Sequence, residues 1–372
     1  MNKLNSYAAA FAIFASAYSV SSFAHTELDE HSYGAVFTMD NATEANAVIM
    51  FARTVDGQLN KVGMFPTNGK GTGKGLGNQG GVILTENHRW LFAVNAGSNE
   101  ISVFKVMPSM LVLTDKIASG GMMPISLTVD DNILYVLNAG SDEISGFKFS
   151  DNGKLKPVDN STRALSGKGT APAEIKFSPN GSVLIVTEKA TNTIDSFVVD
   201  KHGVAGDVMT TPSAGTTPFG FAFNRRGDLI VSEAEGGAPN GSSASSYDVH
   251  RNGNVELISS AVPTTETAAC WVAVTDNGRY AYVANAGSSS VSGYKISRDG
   301  SINLLNADGV TGSTGAGTHP TDMALSDHSH FLYVLSTATG SISGFKVNMH
   351  GSLMSMVGAT GLPTTVNGIA AY

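Results

Sequence analysis

Four acidic residues occupy matching points in repeated units of this sequence: Glu174, Glu188, Glu233 and Asp322. Carboxylates brought close together raise one another's pKa, and a carboxyl group with a raised pKa can act as a general acid or base at neutral pH. We therefore predict acid–base catalysis with Glu188 as the general base or acid and Glu174 as its coupled partner. His319, in a glycine-rich loop, is the predicted proton carrier.

The same residues offer two further uses. We predict ligand contacts from Glu233, Asp322, Trp271 and Asn138. No cofactor is required by the sequence, but several oxygen ligands on converging loops suffice for a divalent cation, so a metal-dependent site is an alternative. In a third interpretation the acids are solvated rim residues, and Asn138 and its counterparts are turn formers that bond the following backbone.

A sequence unit that recurs along the chain must position these side chains. One copy runs from Ile133 to Phe149 as ILYVLNAGSDEISGFKF, two short apolar strands around a turn of small residues. Its copies lie 43 to 52 residues apart, a period that suits a four-stranded propeller blade. The aligned position, at the end of the first of the two strands, is held by Asn95, Asn138, Glu188, Glu233, Asn285 and Ser336.

The two ends of the chain complete the pattern. Residues 33–39, 45–54 and 61–66 are predicted strands that lack a fourth partner, and residues 366–372 supply a strand with no sheet of its own. Pairing the two ends completes a blade and removes exposed sheet edges. We predict an all-β, seven-bladed β-propeller whose ring is closed by the C-terminal strand pairing with the N-terminal strands.

The strand order predicts which residues meet. In an antiparallel four-stranded blade, the loop entering the inner strand and the loop between strands two and three lie on one face, here called the top face. Long loops on a rigid scaffold commonly carry function, so we expect the acids to meet at the top mouth of the central channel. Aligning the inner strands places one ring of residues there: Gly81, Ser126, Glu174, Gly220, Trp271, Asp322 and Gly368.

Composition bounds the location and the partners. Residues 1–24 have the pattern of a secretory signal peptide, so we expect a mature chain from His25, with residues 25–372 as a single propeller domain, secreted or periplasmic. No other stretch is apolar enough to span a membrane. The net charge of −8, without a basic cluster, argues against nucleic acid as a partner. The single cysteine, Cys270, is expected to be a buried structural thiol.

The repeats resemble a known family. Inner strands such as Pro172-Ala-Glu-Ile-Lys-Phe-Ser-Pro-Asn-Gly181, followed by Tyr-Val-x-Asn and Ser-x-Ile-Ser-x-Phe strands, are similar to those of the lactonase-type seven-bladed propellers. That family includes a 6-phosphogluconolactonase and the 3-carboxy-cis,cis-muconate lactonizing enzyme. The resemblance covers residues 33–372 and implies the fold; one propeller hosts many functions, so it implies the reaction less strongly.

The family's polar site residues are mostly replaced here. The family's Pro-Arg-His is replaced by Pro172-Ala173-Glu174. A further family histidine would fall where this chain has Met-Pro-Ile-Ser at 123–126, and a further family arginine would fall where it has Glu-Ala-Glu at 233–235. The family glutamate is kept as Glu188. The resemblance implies a lactone hydrolase or cycloisomerase. Because acids replace the family's basic groups, we expect its substrate to be a neutral or cationic small molecule. The alternative is a non-catalytic exported propeller that binds a protein, glycan or other surface ligand through its top-face loops.

Overall fold

The computed structural model describes residues 32–372, which form seven antiparallel sheets around a central channel. The inner strand of each sheet contacts the inner strands of both neighbours, so the sheets form a closed ring of blades. The seven-bladed propeller predicted from the repeats is confirmed. The predicted signal peptide and the predicted start of the mature chain at His25 lie outside the described residues. Among residues 32–372, no helix is long and apolar enough to cross a membrane.

Blades 1 to 4 follow one another along the chain. In blades 2 to 4 the first strand of the blade lies next to the channel, whereas in blade 1 it does not. Blade 1 contains β1 (Ser32–Met39), β2 (Ala47–Thr54) and β3 (Leu59–Pro66). Blade 2 contains β4 (Val82–Leu84), β5 (Trp90–Asn95), β6 (Glu100–Met107) and β7 (Met110–Ala118). Blade 3 contains β8 (Pro124–Asp130), β9 (Ile133–Asn138), β10 (Glu143–Phe149), β11 (Leu155–Pro157) and β12 (Arg163–Ala164). Blade 4 contains β13 (Pro172–Phe177), β14 (Val183–Glu188), β15 (Thr193–Val198) and β16 (Met209–Pro212).

Blades 5 to 7 repeat the plan. Blade 5 contains β17 (Pro218–Phe223), β18 (Asp228–Glu233), β19 (Ser243–Val249) and β20 (Val255–Pro263). Blade 6 contains β21 (Ala269–Val274), β22 (Tyr280–Asn285), β23 (Ser290–Ile296), β24 (Ile302–Leu304) and β25 (Gly312–Ser313). Blade 7 contains β26 (Pro320–Leu325), β27 (Phe331–Ser336), β28 (Ser341–Val347) and β29 (Leu353–Ala359). Short 3₁₀ helices span Glu235–Gly237 and Asp327–Ser329.

The ring closes where the prediction placed the closure. The last strand, β30 (Asn367–Ala371), forms the inner strand of blade 1 by pairing antiparallel with β1. Phe37 lies opposite Ala370 and Thr38 lies opposite Ile369. Because the two ends share one sheet, the blade stack leaves no open end.

The repeated tyrosines explain how neighbouring blades hold together. The second strand of each blade is apolar and buried between two sheets, as β9 and β22 show. Its tyrosine hydroxyl donates to the carbonyl of the turn glycine of the next blade, at 2.8 Å from Tyr135 to Gly203 and 2.9 Å from Tyr282 to Gly351. Gly351 has a φ of +83° and packs against a tyrosine ring, so a turn glycine is needed there.

Candidate functional site

The inner strands carry a ring of side chains that bridge successive blades. A β-bulge near the start of most inner strands leaves one backbone N–H pointing toward the preceding blade. Side chains at the predicted ring position accept several of these donors, which confirms the alignment of the inner strands. The bonds run from Ile175 N to Ser126 Oγ (3.1 Å), from Phe221 N to Glu174 Oε2 (2.7 Å) and from Ile369 N to Asp322 Oδ2 (3.2 Å).

A loop segment, residues 76–81, crosses the channel at its top and is called the plug below. Gln79 shows the crossing most clearly, because its backbone N–H donates to Ala173 in blade 4 at 3.1 Å while its side chain bonds Val272 in blade 6. The side-chain contacts are 2.7 Å from Nε2 to the Val272 carbonyl and 3.0 Å from the Val272 amide to Oε1. Gln79 thereby fills the ring position where Gly220 has no side chain: a Cβ there would lie 2.1 Å from Oε1.

Asn78 and Lys189 fix the rest of the plug. The Asn78 carbonyl accepts the Trp271 indole N–H at 2.7 Å, and its side chain bonds the Ile125 carbonyl and the Asn367 amide. Lys189 reaches in from the top turn of blade 4 and donates to the Gly77 carbonyl at 2.5 Å. Burial lowers the pKa of Lys189 to about 8. Because the plug contacts blades 1, 3, 4 and 6, it closes the top of the channel.

Below the plug the channel is an open chamber of about 400 Å³. Its closed end is formed by Gln79, Glu174 and Asp322, and most residues along its walls have apolar side chains. Its open end is lined by Glu86 and Asp276, which lie in turns between first and second strands, on the face opposite the top loops. The prediction that Glu174 and Asp322 face a top mouth is therefore wrong: because the plug covers them, they face a chamber that opens on the hairpin face.

The two acids at the closed end are strongly perturbed. Glu174 is 1 % exposed, and burial raises its pKa to about 7. Its Oε1 lies 3.6 Å from Lys176 Nζ, longer than a hydrogen bond, and Lys176 also lines the chamber. Burial raises the pKa of Asp322 well above its ordinary value, and the charge of Glu174 adds to that shift. A carboxyl with a pKa near 7 can exchange protons at neutral pH.

Glu188 does not share this chamber. It is fully buried at the end of β14, where Oε1 accepts the Ser166 amide at 3.1 Å. Its Oε2 accepts hydroxyls from Ser166 and Thr191 at 2.5 Å and from Thr193 at 2.9 Å. These hydrogen bonds occupy both carboxylate oxygens, so Glu188 stabilises the top turn of its blade.

The coupled partner of Glu188 is Asp195, and the predicted pairing with Glu174 is wrong. Burial raises the pKa of Asp195 to about 7, and its hydrogen bond with Glu188 adds to the rise. For Glu188, the hydrogen bonds of Asp195 and the neighbouring hydroxyls outweigh burial and lower its pKa. The two carboxyls therefore share one proton at neutral pH.

The other predicted site residues also lie away from the chamber, apart from Asp322. Glu233 accepts the Ser243 and Ser245 hydroxyls, each at 2.5 Å, and the Gly215 amide at 3.0 Å. Asn138 donates from Nδ2 to the carbonyl of Ser119, in the loop between blades 2 and 3, at 3.3 Å. The remaining positions are the Trp271 indole, bonded to the plug, and His319, exposed on the top face with a φ of +53°.

Sequence reasoning missed Gln79, Lys176 and Asp195. Asp195 left a signal: it lies seven residues after Glu188, where other copies of the repeat have serine, as at Ser102 and Ser145. Lys176 is two residues after Glu174 on the same strand, so it shares the channel side. Gln79 left no signal, because nothing in a glycine-rich loop indicates that it crosses the ring.

No cation site is evident in the part of the chain that the structure describes. Within residues 32–372, no group of three or more histidine, cysteine, aspartate or glutamate side chains could hold a metal ion. Cys270 is free and buried, as expected, and burial raises the pKa of its thiol to about 12. A thiol with that pKa is inert as a nucleophile at neutral pH.

The fold and the closed ring define a seven-bladed propeller with a central chamber. The chain matches the family described as Lactonase, 7-bladed beta-propeller, over residues 41–168, 161–238, 233–337 and 273–366. These matches span most of the chain, and the protein belongs to that lactonase propeller family. No curated protein sequence matches the chain significantly.

Solved structures agree on the fold. A periplasmic gluconolactonase of Pseudomonas aeruginosa superposes with a TM-score of 0.71 at 13% identity, covering 91% of this chain and 99% of the other. A Bacteroides fragilis protein, provisionally assigned as a 6-phosphogluconolactonase, gives 0.72 at 15% identity, covering 91% and 98%. A Lactobacillus plantarum protein gives 0.74 at 16%, covering 91% and 99%. At these identities the likeness concerns the fold alone.

Proposed function

We propose that this protein hydrolyses a small neutral lactone inside the central chamber, with Glu174 as the general base. The observation that carries the proposal is the position of Glu174: a buried carboxyl with a pKa of about 7 at the closed end of an accessible cavity. A cavity of about 400 Å³ falls within the range of small-molecule sites. Membership of the lactonase family and the name of the Pseudomonas aeruginosa structure support the reaction class.

The chemistry assigns distinct roles to the two neighbouring charges. Ionised Glu174 removes a proton from a water molecule as the water oxygen attacks the lactone carbonyl carbon. The carbonyl oxygen gains negative charge, which the Lys176 ammonium on the same strand stabilises. The ring C–O bond then breaks and yields the open hydroxy acid. Of the predicted catalytic residues Glu188, Glu174 and His319, only Glu174 lines the chamber.

The charge of the chamber favours an unphosphorylated substrate. Its lining carries the acids Glu174, Glu86 and Asp276, together with Asp322, whose neutral form burial favours. The basic side chains of the lining are His88 and Lys176, and Lys176 is already close to Glu174. A phosphate group would meet repulsion there and find no arginine among the lining residues to bind it. The same charges leave a neutral or cationic ligand acceptable.

The decisive experiment compares two substitutions of matched chemistry. Hydrolysis of glucono-δ-lactone, corrected for the spontaneous rate, is measured for wild type, Glu174→Gln and Glu188→Gln. Loss of a general base costs roughly 10²–10⁴-fold, so Glu174→Gln should lose about that factor in kcat. Glu188→Gln should keep wild-type kcat, and both should melt within a few degrees of wild type. The opposite ranking would move the base to Glu188, and an inactive wild type across a lactone panel would end the lactonase proposal.

The alternative function is non-catalytic binding of an exported surface ligand through the top face. It is favoured by the plug, which turns that face into a rigid surface with no entry to the channel. A thermal-shift panel of glycans and lactones separates the two functions, because ligand at about 100 times its Kd adds about 2.7 kcal/mol of stability. Export from His25, to the periplasm or beyond, is part of either function, and the intact mass of the natural protein checks it.

A further inference from the structure

Asp322 and Glu174 stand on different blades at the closed end of the chamber. Glu174 comes from β13 in blade 4, and Asp322 comes from β26 in blade 7, three blades further around the ring. Both side chains are 1 % exposed and both line the same cavity. A small molecule at the closed end therefore lies between two carboxyl groups that approach it from different sides.

The contacts of Asp322 hold its carboxyl in place. Oδ1 accepts the Met323 amide at 2.8 Å, and Oδ2 accepts the Ile369 amide at 3.2 Å. Two backbone donors fix the orientation of the group without using the hydroxyl proton that it carries when neutral. Burial raises the pKa of Asp322, and the nearby charge of Glu174 adds to the rise, so both favour that neutral form. A buried carboxylic acid kept neutral is able to donate a hydrogen bond or a proton.

We propose that Asp322 is the catalytic proton donor to the leaving oxygen of the lactone ring, opposite Glu174 as the base. The inference rests on the proposed hydrolysis at this chamber. Water adds to the carbonyl carbon while its proton moves to Glu174, and the ring C–O bond breaks while the Asp322 proton moves to the departing oxygen. The product is a hydroxy acid, and Asp322 regains its proton, with Glu174 losing one, through chamber water.

Two lactones with different leaving groups test the assignment. δ-Valerolactone releases an alkoxide, which needs protonation, whereas dihydrocoumarin releases a phenoxide, which leaves without it. General acid catalysis contributes roughly 10²–10⁴-fold, so Asp322→Asn should lose about 10²-fold or more in kcat on δ-valerolactone. On dihydrocoumarin the loss should be about threefold or less. Asp308→Asn, an exposed aspartate on a loop outside the chamber, is the matched control and should change neither rate.

A second measurement uses the wild type alone, in case Asp322→Asn folds poorly. A required acid must be protonated, so kcat on δ-valerolactone should begin to fall at a lower pH than kcat on dihydrocoumarin, which needs the Lys176 ammonium but not the Asp322 proton. Equal loss on both lactones in Asp322→Asn, or the same alkaline limb for both in wild type, would overturn the role of Asp322 and leave the hydrolase proposal standing. A wild type that cleaves neither lactone would overturn both.

Discussion

Two pairs of buried carboxyl groups in this propeller have different neighbours. Glu188 and Glu233, at the ends of second strands, are wrapped in serine and threonine hydroxyls of their own blades. Glu174 and Asp322, on inner strands, bond backbone amides of the bulges and otherwise face a cavity. The first pair stabilises turns, whereas the second pair lines a cavity that a ligand can enter.

The comparison shows that burial and a shifted pKa do not by themselves mark a reactive group. Glu233 and Glu174 are both buried, and burial raises the pKa of each. Of the two, only Glu174 lines a cavity, and its Oε1 lies 3.6 Å from Lys176 Nζ. Structural networks perturb pKa values as active sites do, so access to a cavity is the feature that separates them.

The largest expected effect concerns stability, and it falls on the hydroxyl-wrapped pair. Glu233→Ala removes the acceptor of the Ser243 and Ser245 hydroxyls and the Gly215 amide. Unpaired buried donors cost about 1–3 kcal/mol each, partly relieved by rearrangement, so we expect a loss of about 2–4 kcal/mol in the free energy of unfolding, measured in urea. Glu174→Ala, which frees one amide, should cost less than Glu233→Ala. Equal losses would erase the distinction between the pairs.

The fold was predictable because the propeller is encoded locally and repeatedly. Each copy of the 133–149 unit specifies two apolar strands and a small-residue turn, and its spacing specifies the blade, so β9, β22 and β27 appear where the repeats place them. The unpaired strand at residues 366–372 predicted the ring closure for the same reason. These features depend on neighbours in sequence or on the next blade.

The site was only partly predictable because it depends on contacts across the ring. Alignment placed Glu174 and Asp322 at one level of the channel, and that is confirmed by their equivalent bulge positions. The plug, however, joins Gln79 to Val272, 193 residues away, through a loop with no periodicity. The sequence does not reveal this contact, so it predicts an open channel mouth among the top loops. The chamber instead opens on the opposite face.

A medium effect concerns the pH dependence of stability. The pKa of Asp195 rises to about 7 in the folded state, above its ordinary 3.8, so the folded state holds this proton more tightly than the unfolded state. The resulting stabilisation is complete at low pH and is lost as pH rises from about 4 to about 7. Asp195→Asn removes this titration, so its melting temperature should fall less than that of wild type across that window.

Thermal unfolding of both proteins at pH 4, 5, 6 and 7 measures this difference. Asp299→Asn is the control, since Asp299 lies in an exposed turn where hydrogen bonds with Ser301 lower its pKa, and its titration has the opposite sign. Parallel pH curves for wild type and Asp195→Asn would contradict the shared proton between Asp195 and Glu188. The carboxylate pair would then be ionised, with the hydroxyls alone offsetting the repulsion.

The smallest expected effect is at His319, which was predicted to carry protons and lies exposed on the top face. The plug separates that face from the chamber, so its imidazole has no path to a substrate at Glu174. His319→Ala should therefore leave both kcat and KM for a lactone within about twofold of wild type. His319→Asn is the better control for folding, because asparagine tolerates the left-handed φ of +53° at this position. A loss of activity shared by both variants would place the reaction on the top face, and the plug would then have to open during turnover.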